Sequence, residues 1–299
     1  MISSASLAII KIGVSPVLFK VGPFSVHWYG LMYVVGIAAG MYVMLPYAER
    51  IGISREKAYQ VFWPIVIASL VGGRLYYVVQ SNFGWYLAHP QNILATWEGG
   101  MAFYGAVFLG GITAFVWCRL KGIPFARALD AAAIFIPVAQ SFGRVGNIIN
   151  GDIVGYPSTL PWATQYVNQA NTFVSSHTVA YQPAAAYELL FTVALFGFLW
   201  AVRYRLKVPG TLFAVWLIAY SIGQFGLFFV RSNVIVLLGL KQAQLTAIAV
   251  IAGTIPLYLL WRHFYLTRSR HLKSTATETR SDDPDLSGEV LPRVPAAER

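Results

Sequence analysis

Seven apolar runs punctuate the chain, at 28–45, 58–79, 101–120, 128–142, 184–202, 211–230 and 244–261. Most approach the ~20 residues that a helix needs to cross the hydrocarbon core of a bilayer. The run ending at Phe142 is shorter and contains Pro137, but it extends through Arg144 and Asn147 if those side chains face protein or a wet cavity. The pattern predicts an all-α, polytopic membrane bundle of about seven transmembrane helices over 28–266. Residues 1–27 lack the basic start and small-residue cleavage site of a signal peptide and read as an interfacial lead-in. Residues 153–183 are polar enough for an outer loop. From 267 to 299 the chain turns to Arg, Ser, Thr, Asp and Pro, which cannot bury a core and are expected to form a disordered tail.

Composition agrees with lipid as the solvent: 57% of the 299 residues are hydrophobic and 11% charged, too apolar for an ordinary soluble domain of this length. A net charge of +10 raises the question of nucleic acid, but Lys and Arg are scattered between apolar runs and form no basic face. An anionic membrane surface accounts for them, and no nucleic-acid partner is expected. Their positions also orient the bundle, because cytoplasmic loops retain the excess of Lys and Arg. Arg50, Arg55 and Lys57, then Arg119, Lys121 and Arg127, then Arg203, Arg205 and Lys207 follow the first, third and fifth runs, whereas 80–96 and 153–182 contain neither residue type. The amino terminus is therefore expected outside and the carboxyl terminus in the cytoplasm. The single cysteine, Cys118, provides no disulfide or metal framework and reads as packing.

Polar residues inside the runs carry the chemical information. Arg74 follows Gly72 and Gly73 late in the second run, and Arg144 lies in GRVGNIINGD at 143–152. An arginine within a span typically costs ~2.5 kcal/mol or more unless it finds a partner. Snorkelling to the headgroups is an adequate account of Arg74 alone. Arg144, Asn147 and Asn150 recur at a spacing of three, so a guanidinium and two amides are expected on one helical face. A planar five-donor fork beside amides suits a phosphate, and at that depth phosphates belong to phospholipid headgroups. Glu188, early in the fifth run, is expected to make a structural hydrogen bond near the site, and Asp130 a local pair with Arg127.

The stretch GRVGNIINGDIVG at 143–155 resembles the signature of the phosphatidylglycerol:prolipoprotein diacylglyceryl transferases, the membrane enzymes that begin bacterial lipoprotein maturation. Similar too, in the family's order, are GPFSVHWYGLMY at 22–33, GGRLYY at 72–77, WEGGMAFYG at 97–105, Tyr187 with Glu188, and the outer segment before Gln244. The resemblance implies a multi-pass protein of the bacterial cytoplasmic (inner) membrane. Its substrates would be phosphatidylglycerol and prolipoprotein signal peptides with a lipobox cysteine, and neither cofactor nor metal would be needed. It also implies an essential role for Arg144 at the leaving phosphate. Tyr29, Arg74, Asn147, Asn150, Gly155 and Glu188 would lie along the lipid substrate, with Arg74 as a second cation.

The departures from the family pattern are as informative. Tyr104 stands where the family commonly has histidine, a leading candidate for the proton acceptor, and a neutral phenol of reference pKa ~10 is a poor base at neutral pH. Asp152 replaces a glutamate, Gln182 stands for the histidine of a His-Pro pair, and in the sixth run Gln224 and Phe228 align with an arginine and a glutamate, while Arg231 matches. Asp152, His27 or Tyr104 must then serve the thiol, and the sequence leaves the three unranked; His27 also reads as an interface residue beside Trp28 and Tyr29. The alternative function is a divergent, non-catalytic phospholipid-binding or transport protein on the same scaffold. A transporter would be expected to show internal repeats or a polar path through the bundle, and the sequence has its polar residues gathered at one end.

Overall fold

The computed structural model describes residues 9–22, 24–95 and 99–281; Trp97, Glu98 and 282–299 lie outside the described residues. Seven α-helices account for most of these: α1 (Trp28–Arg50), α2 (Arg55–Ala88), α3 (Phe103–Leu120), α4 (Phe125–Asn150), α5 (Ala184–Val202), α6 (Thr211–Leu227) and α7 (Gln242–Ser281). Six are long and apolar enough to cross a membrane, and α6, with 17 residues, is a shorter apolar helix. The chain is thus a multi-pass membrane helix bundle, as its hydropathy predicts.

Helix α7 continues to Ser281, past the point at 267 where composition predicts the tail to begin. Between Thr267 and Ser281 there is neither Pro nor Gly to stop it, and the first breaker is Pro284. Helix α2, at 34 residues, is ~51 Å long against a core of ~30 Å. It breaks at Asn82, whose backbone is extended, so its last turns need not follow the axis of the rest.

Helices α2 and α3 pack through glycine. A Cβ on Gly72 would lie 2.4 Å from the Gly105 carbonyl oxygen, and one on Gly105 would lie 2.2 Å from that of Gly72, so the backbones touch where no side chain fits. Helix α1 packs along α4. The apolar core, including Met44, Leu45, Ala48, Ala133, Ile134, Leu199 and Leu212, fills the end of the bundle formed by the late turns of α1 and α5 and the early turns of α4 and α6. The opposite end, where α4 and α6 finish and α1 and α5 begin, is left for polar residues.

Three short two-stranded ribbons, which hydropathy did not reveal, decorate the polar end. β1 (Ile10–Ile12) pairs in parallel with β4 (Thr164–Tyr166), while β2 (Val17–Val21) and β3 (Phe24–His27) form one hairpin and β5 (Ile235–Leu237) and β6 (Leu240–Lys241) another. The loop after α4 folds back to satisfy the carbonyls that the helix end leaves open. The Tyr166 hydroxyl donates to the Ile148 carbonyl at 2.9 Å, and Asn171 Nδ2 donates to those of Ile149 and Asn150 at 3.0 and 3.2 Å. Gly151 ends the helix at φ +76°, and a side chain there would be both strained and pressed to 3.0 Å from the Tyr166 ring.

Asp130 does not pair with Arg127 as expected. Its carboxylate accepts from the backbone N–H groups of Gly210 (2.7 Å) and Phe213 (3.1 Å), capping the start of α6. Unpaired N–H groups and the positive end of the helix dipole offer a buried carboxylate more than one solvated arginine does.

Candidate functional site

The polar end converges on Glu188, one turn into α5 and fully buried. Its two oxygens face different arginines: Oε2 lies 2.7 Å from Arg144 Nε of α4, and Oε1 accepts from Arg231 Nη1 at 2.9 Å, just beyond α6. Arg144 Nη1 donates to Asn147 Oδ1 at 3.0 Å, and Asn147 Nδ2 donates to the Asp152 carboxylate at 3.1 and 3.0 Å. A line of ion pairs and hydrogen bonds therefore runs Arg231, Glu188, Arg144, Asn147, Asp152, in which Arg144 and Glu188 are joined by charge alone. Its two cations and two carboxylates balance, as burial requires. Tyr220 of α6 stands beside Arg144 and Gln140, and Tyr29 of α1 beside Asn147 and Asp152. Gly146 makes room for Tyr29: a Cβ there would come within 3.1 Å of its backbone and ring.

Two donors of the Arg144 fork are thus engaged. The Tyr220 hydroxyl also stands at the guanidinium, and the side chain keeps 20% of its surface accessible. A guanidinium held by fixed partners with part of its surface accessible is suited to grip a phosphate oxygen.

The structure joins some of the expected residues and separates others. Arg144, Asn147, Asp152, Glu188 and Tyr29 come together. Asn150 makes no hydrogen bond to Arg144 or Asn147. Each step of three residues lags a full turn by ~60°, so after two steps Asn150 has rotated ~120° from Arg144. Gly155 sits at a crossing, where a Cβ would meet the Val230 carbonyl oxygen at 2.7 Å and Gln182 Cβ at 2.8 Å; it bridges Arg231 and donates to the Gln182 carbonyl. Its position makes it a packing element beneath Arg231.

Arg74 is buried, but its donors are spent on backbone carbonyls. Nε and Nη2 bond those of Ile93 and Asn92, both at 2.7 Å, and Nη1 bonds those of Gly99 and Gly100 at 2.6 and 2.9 Å. It clamps the loop between α2 and α3. The Tyr104 hydroxyl pairs with Thr246 of α7 at 3.0 Å, and His27 is exposed at the start of α1 with no capping bond from its side chain. An apolar cleft of about 920 Å³ between α1, α2 and α5, lined in part by Met41, Tyr59, Trp63 and Trp200, lies away from this cluster.

Sequence reasoning missed that Arg231 and Glu188 form one unit with Arg144. The available signal was an acid and two arginines, each costly alone, at ends of runs that all fall on one side of the bundle. Phe228 adds to it: the Arg231 guanidinium carbon lies 4.4 Å from the centre of its ring, so an aromatic face supports the cation at the position where the family pattern has a carboxylate.

Residues 16–260 match the family described as prolipoprotein diacylglyceryl transferase. The chain belongs to that family. It is 33% identical over 265 residues to a phosphatidylglycerol–prolipoprotein diacylglyceryl transferase of Bifidobacterium longum subsp. infantis, covering 82% of this chain and 84% of the relative. To the protein of the same name from Bordetella avium it is 33% identical over 82% of this chain and 94% of the relative, and to that of Mycobacteroides abscessus 34% over 81% and 76%. The region of this transferase-family protein that carries the likeness contains every member of the Glu188 cluster.

Proposed function

We propose that this family member transfers the diacylglyceryl group of phosphatidylglycerol to the lipobox cysteine thiol of bacterial prolipoproteins. The thiol sulfur attacks the glyceryl carbon that bears the phosphate, a C–S bond forms as the C–O bond breaks, and glycerol phosphate departs. The observation that carries this reading is the Arg144 fork, held by Glu188 and Asn147 and still one-fifth accessible. Charge develops on the leaving phosphate in the transition state, and a preoriented cation in a site of low dielectric stabilises it there more than in the ground state.

Of the three residues considered for the thiol proton, Asp152 is the proton acceptor in this proposal, because it alone shares the Arg144 network through Asn147. Tyr29 lines the headgroup side. Arg74 acts indirectly, by fixing the loop that leads into α3.

The bundle spans the bacterial cytoplasmic membrane seven times, with the amino terminus outside and the carboxyl terminus in the cytoplasm. α6, at 17 residues, extends ~26 Å and suffices for the seventh span if the membrane thins slightly around it. Loop charges support this orientation, since the Glu188 cluster then lies at the outer end, where secreted precursors arrive. A non-catalytic lipid binder is disfavoured by the same cluster, in which both ion pairs of Glu188 form despite Gln224 and Phe228.

The test is complementation of a conditional diacylglyceryl transferase mutant, with precursor modification followed by gel shift. Rescue that Arg144→Ala abolishes is expected; failure of well-inserted protein to rescue would overturn the proposal.

A further inference from the structure

The connection between α6 and α7 is a tight hairpin in which β5 and β6 pair Ile235 with Lys241 and Leu237 with Leu240. Its turn is formed by Leu238 at φ +51° and Gly239 at φ +74°. Two successive left-handed residues are the conformation in which Asn-Gly is favoured, because a longer side chain crowds its own backbone there. A leucine holds the position instead, and it is 86% exposed.

The exposure is not confined to one face. Val234, Ile235, Val236, Leu237 and Leu238 are all exposed, Val234 to 83%, although a strand normally hides alternate residues. No charged residue occurs from 232 to 240. An isolated two-stranded ribbon is at best marginal in water, and a contiguous bare apolar patch marks a surface that something covers.

The base of the hairpin is rigid by contrast. Lys241 is buried, with Nζ donating to the carbonyls of Phe228 (2.6 Å) and Arg231, and Gln244 accepts from the Lys241 N–H at 3.0 Å while donating to the Phe225 carbonyl. Arg231, three residues before the apolar tip, is held by Glu188. Further exposed apolar residues flank it, Ile222 of α6 and Phe229 just beyond that helix on one side and Ile248 of α7 on the other.

We propose that this hairpin is a membrane-dipping lip, its apolar tip at 234–238 seated among the acyl chains of the leaflet at the Glu188 end of the bundle. The occupant of the patch is phospholipid. The inference rests on the membrane bundle of the preceding reading and adds to it the place where lipid meets the site. Contact with acyl chains offsets the left-handed backbone at Leu238, which water would not do. Because the base is tied to Arg231, the lip marks the rim over which a phospholipid leaves the bilayer for Arg144.

The test is a depth measurement on the full chain in nanodiscs of phosphatidylcholine and phosphatidylglycerol. In a Cys118→Ala background, Leu238→Cys and, separately, Val236→Cys carry a small environment-sensitive fluorophore, with Thr159→Cys on the exposed outer loop as the aqueous reference. At both hairpin positions the emission is expected to shift to the blue, to be quenched by brominated acyl chains, and to be several-fold less accessible to iodide than at the reference. Iodide quenching equal to the reference with no effect of brominated lipid would overturn the proposal, as would a probe that leaves water only when a lipobox peptide is added. The reading needs no turnover: an inactive protein with a lipid-quenched probe counts against the transferase function alone, and an active one with a water-exposed probe against the lip alone.

Discussion

Glu188→Gln isolates the electrostatic role of the hub, because it keeps the shape of the side chain and removes its charge. The wild-type carboxylate is fully buried and neutralises two guanidinium groups at 2.7 and 2.9 Å. With the charge gone, those cations face each other at ~6 Å, a repulsion of ~3 kcal/mol at an effective dielectric constant of ~20. Removing one partner from a buried ion pair typically costs ~3–5 kcal/mol, and the glutamine carbonyl recovers ~1 kcal/mol by accepting one bond. A net loss of ~3 kcal/mol corresponds to a fall of roughly 6–12 °C in the unfolding midpoint. Intrinsic tryptophan fluorescence in detergent micelles reads this directly, since the chain has nine tryptophans.

Two further variants make the argument refutable. Adding Arg231→Gln removes one of the opposed cations, so the double variant is expected to be more stable than Glu188→Gln alone. Glu49→Gln breaks an exposed pair with Arg55 and is expected to leave the midpoint unchanged, because such pairs contribute ~1 kcal/mol or less. A wild-type midpoint for Glu188→Gln, or strict additivity with Arg231→Gln, would refute the shared-carboxylate account.

Arg144→Lys keeps the charge but cannot hold Glu188 and Asn147 while presenting a third donor in a fixed plane. Loss of one charged hydrogen bond, ~1.5–3 kcal/mol, predicts a turnover lower by ~10-fold to 160-fold, measured as glycerol phosphate release from phosphatidylglycerol; an unchanged rate would show that charge alone suffices. Gly155→Ala presses a methyl group against Val230 and Gln182 and is expected to cost ~1–3 kcal/mol by thermal unfolding, with a wild-type midpoint counting against the crowded crossing. Burial, and then the nearby Asp152 carboxylate, push the Tyr166 phenol up to about 12 from its ordinary 10.0. The fold thus favours the protonated phenol, so its contribution is complete below pH 10 and is lost as pH rises through 12. Unfolding midpoints measured across that window should fall more steeply for the wild type than for Tyr166→Phe, and parallel profiles would remove Tyr166 from the alkaline limb.

The sequence by itself determined the solvent and the helices, because transfer into lipid is nearly additive along the chain and each apolar run reports on its own surroundings. It also disclosed Arg144, Asn147 and Asp152, which lie within nine residues, so that one helix end suffices to bring them together. It misplaced the residues whose partners come from other elements. Arg74 looked like a free cation until the loop before α3 supplied four carbonyl contacts, and Asp130 looked like a partner for Arg127 until the start of α6 came to lie over it. Only the tertiary structure decided that Glu188 joins Arg144 to Arg231. That bond depends on α4, α5 and the turn after α6 meeting within 3 Å, and a charge in low dielectric takes whichever partner the packing brings to it.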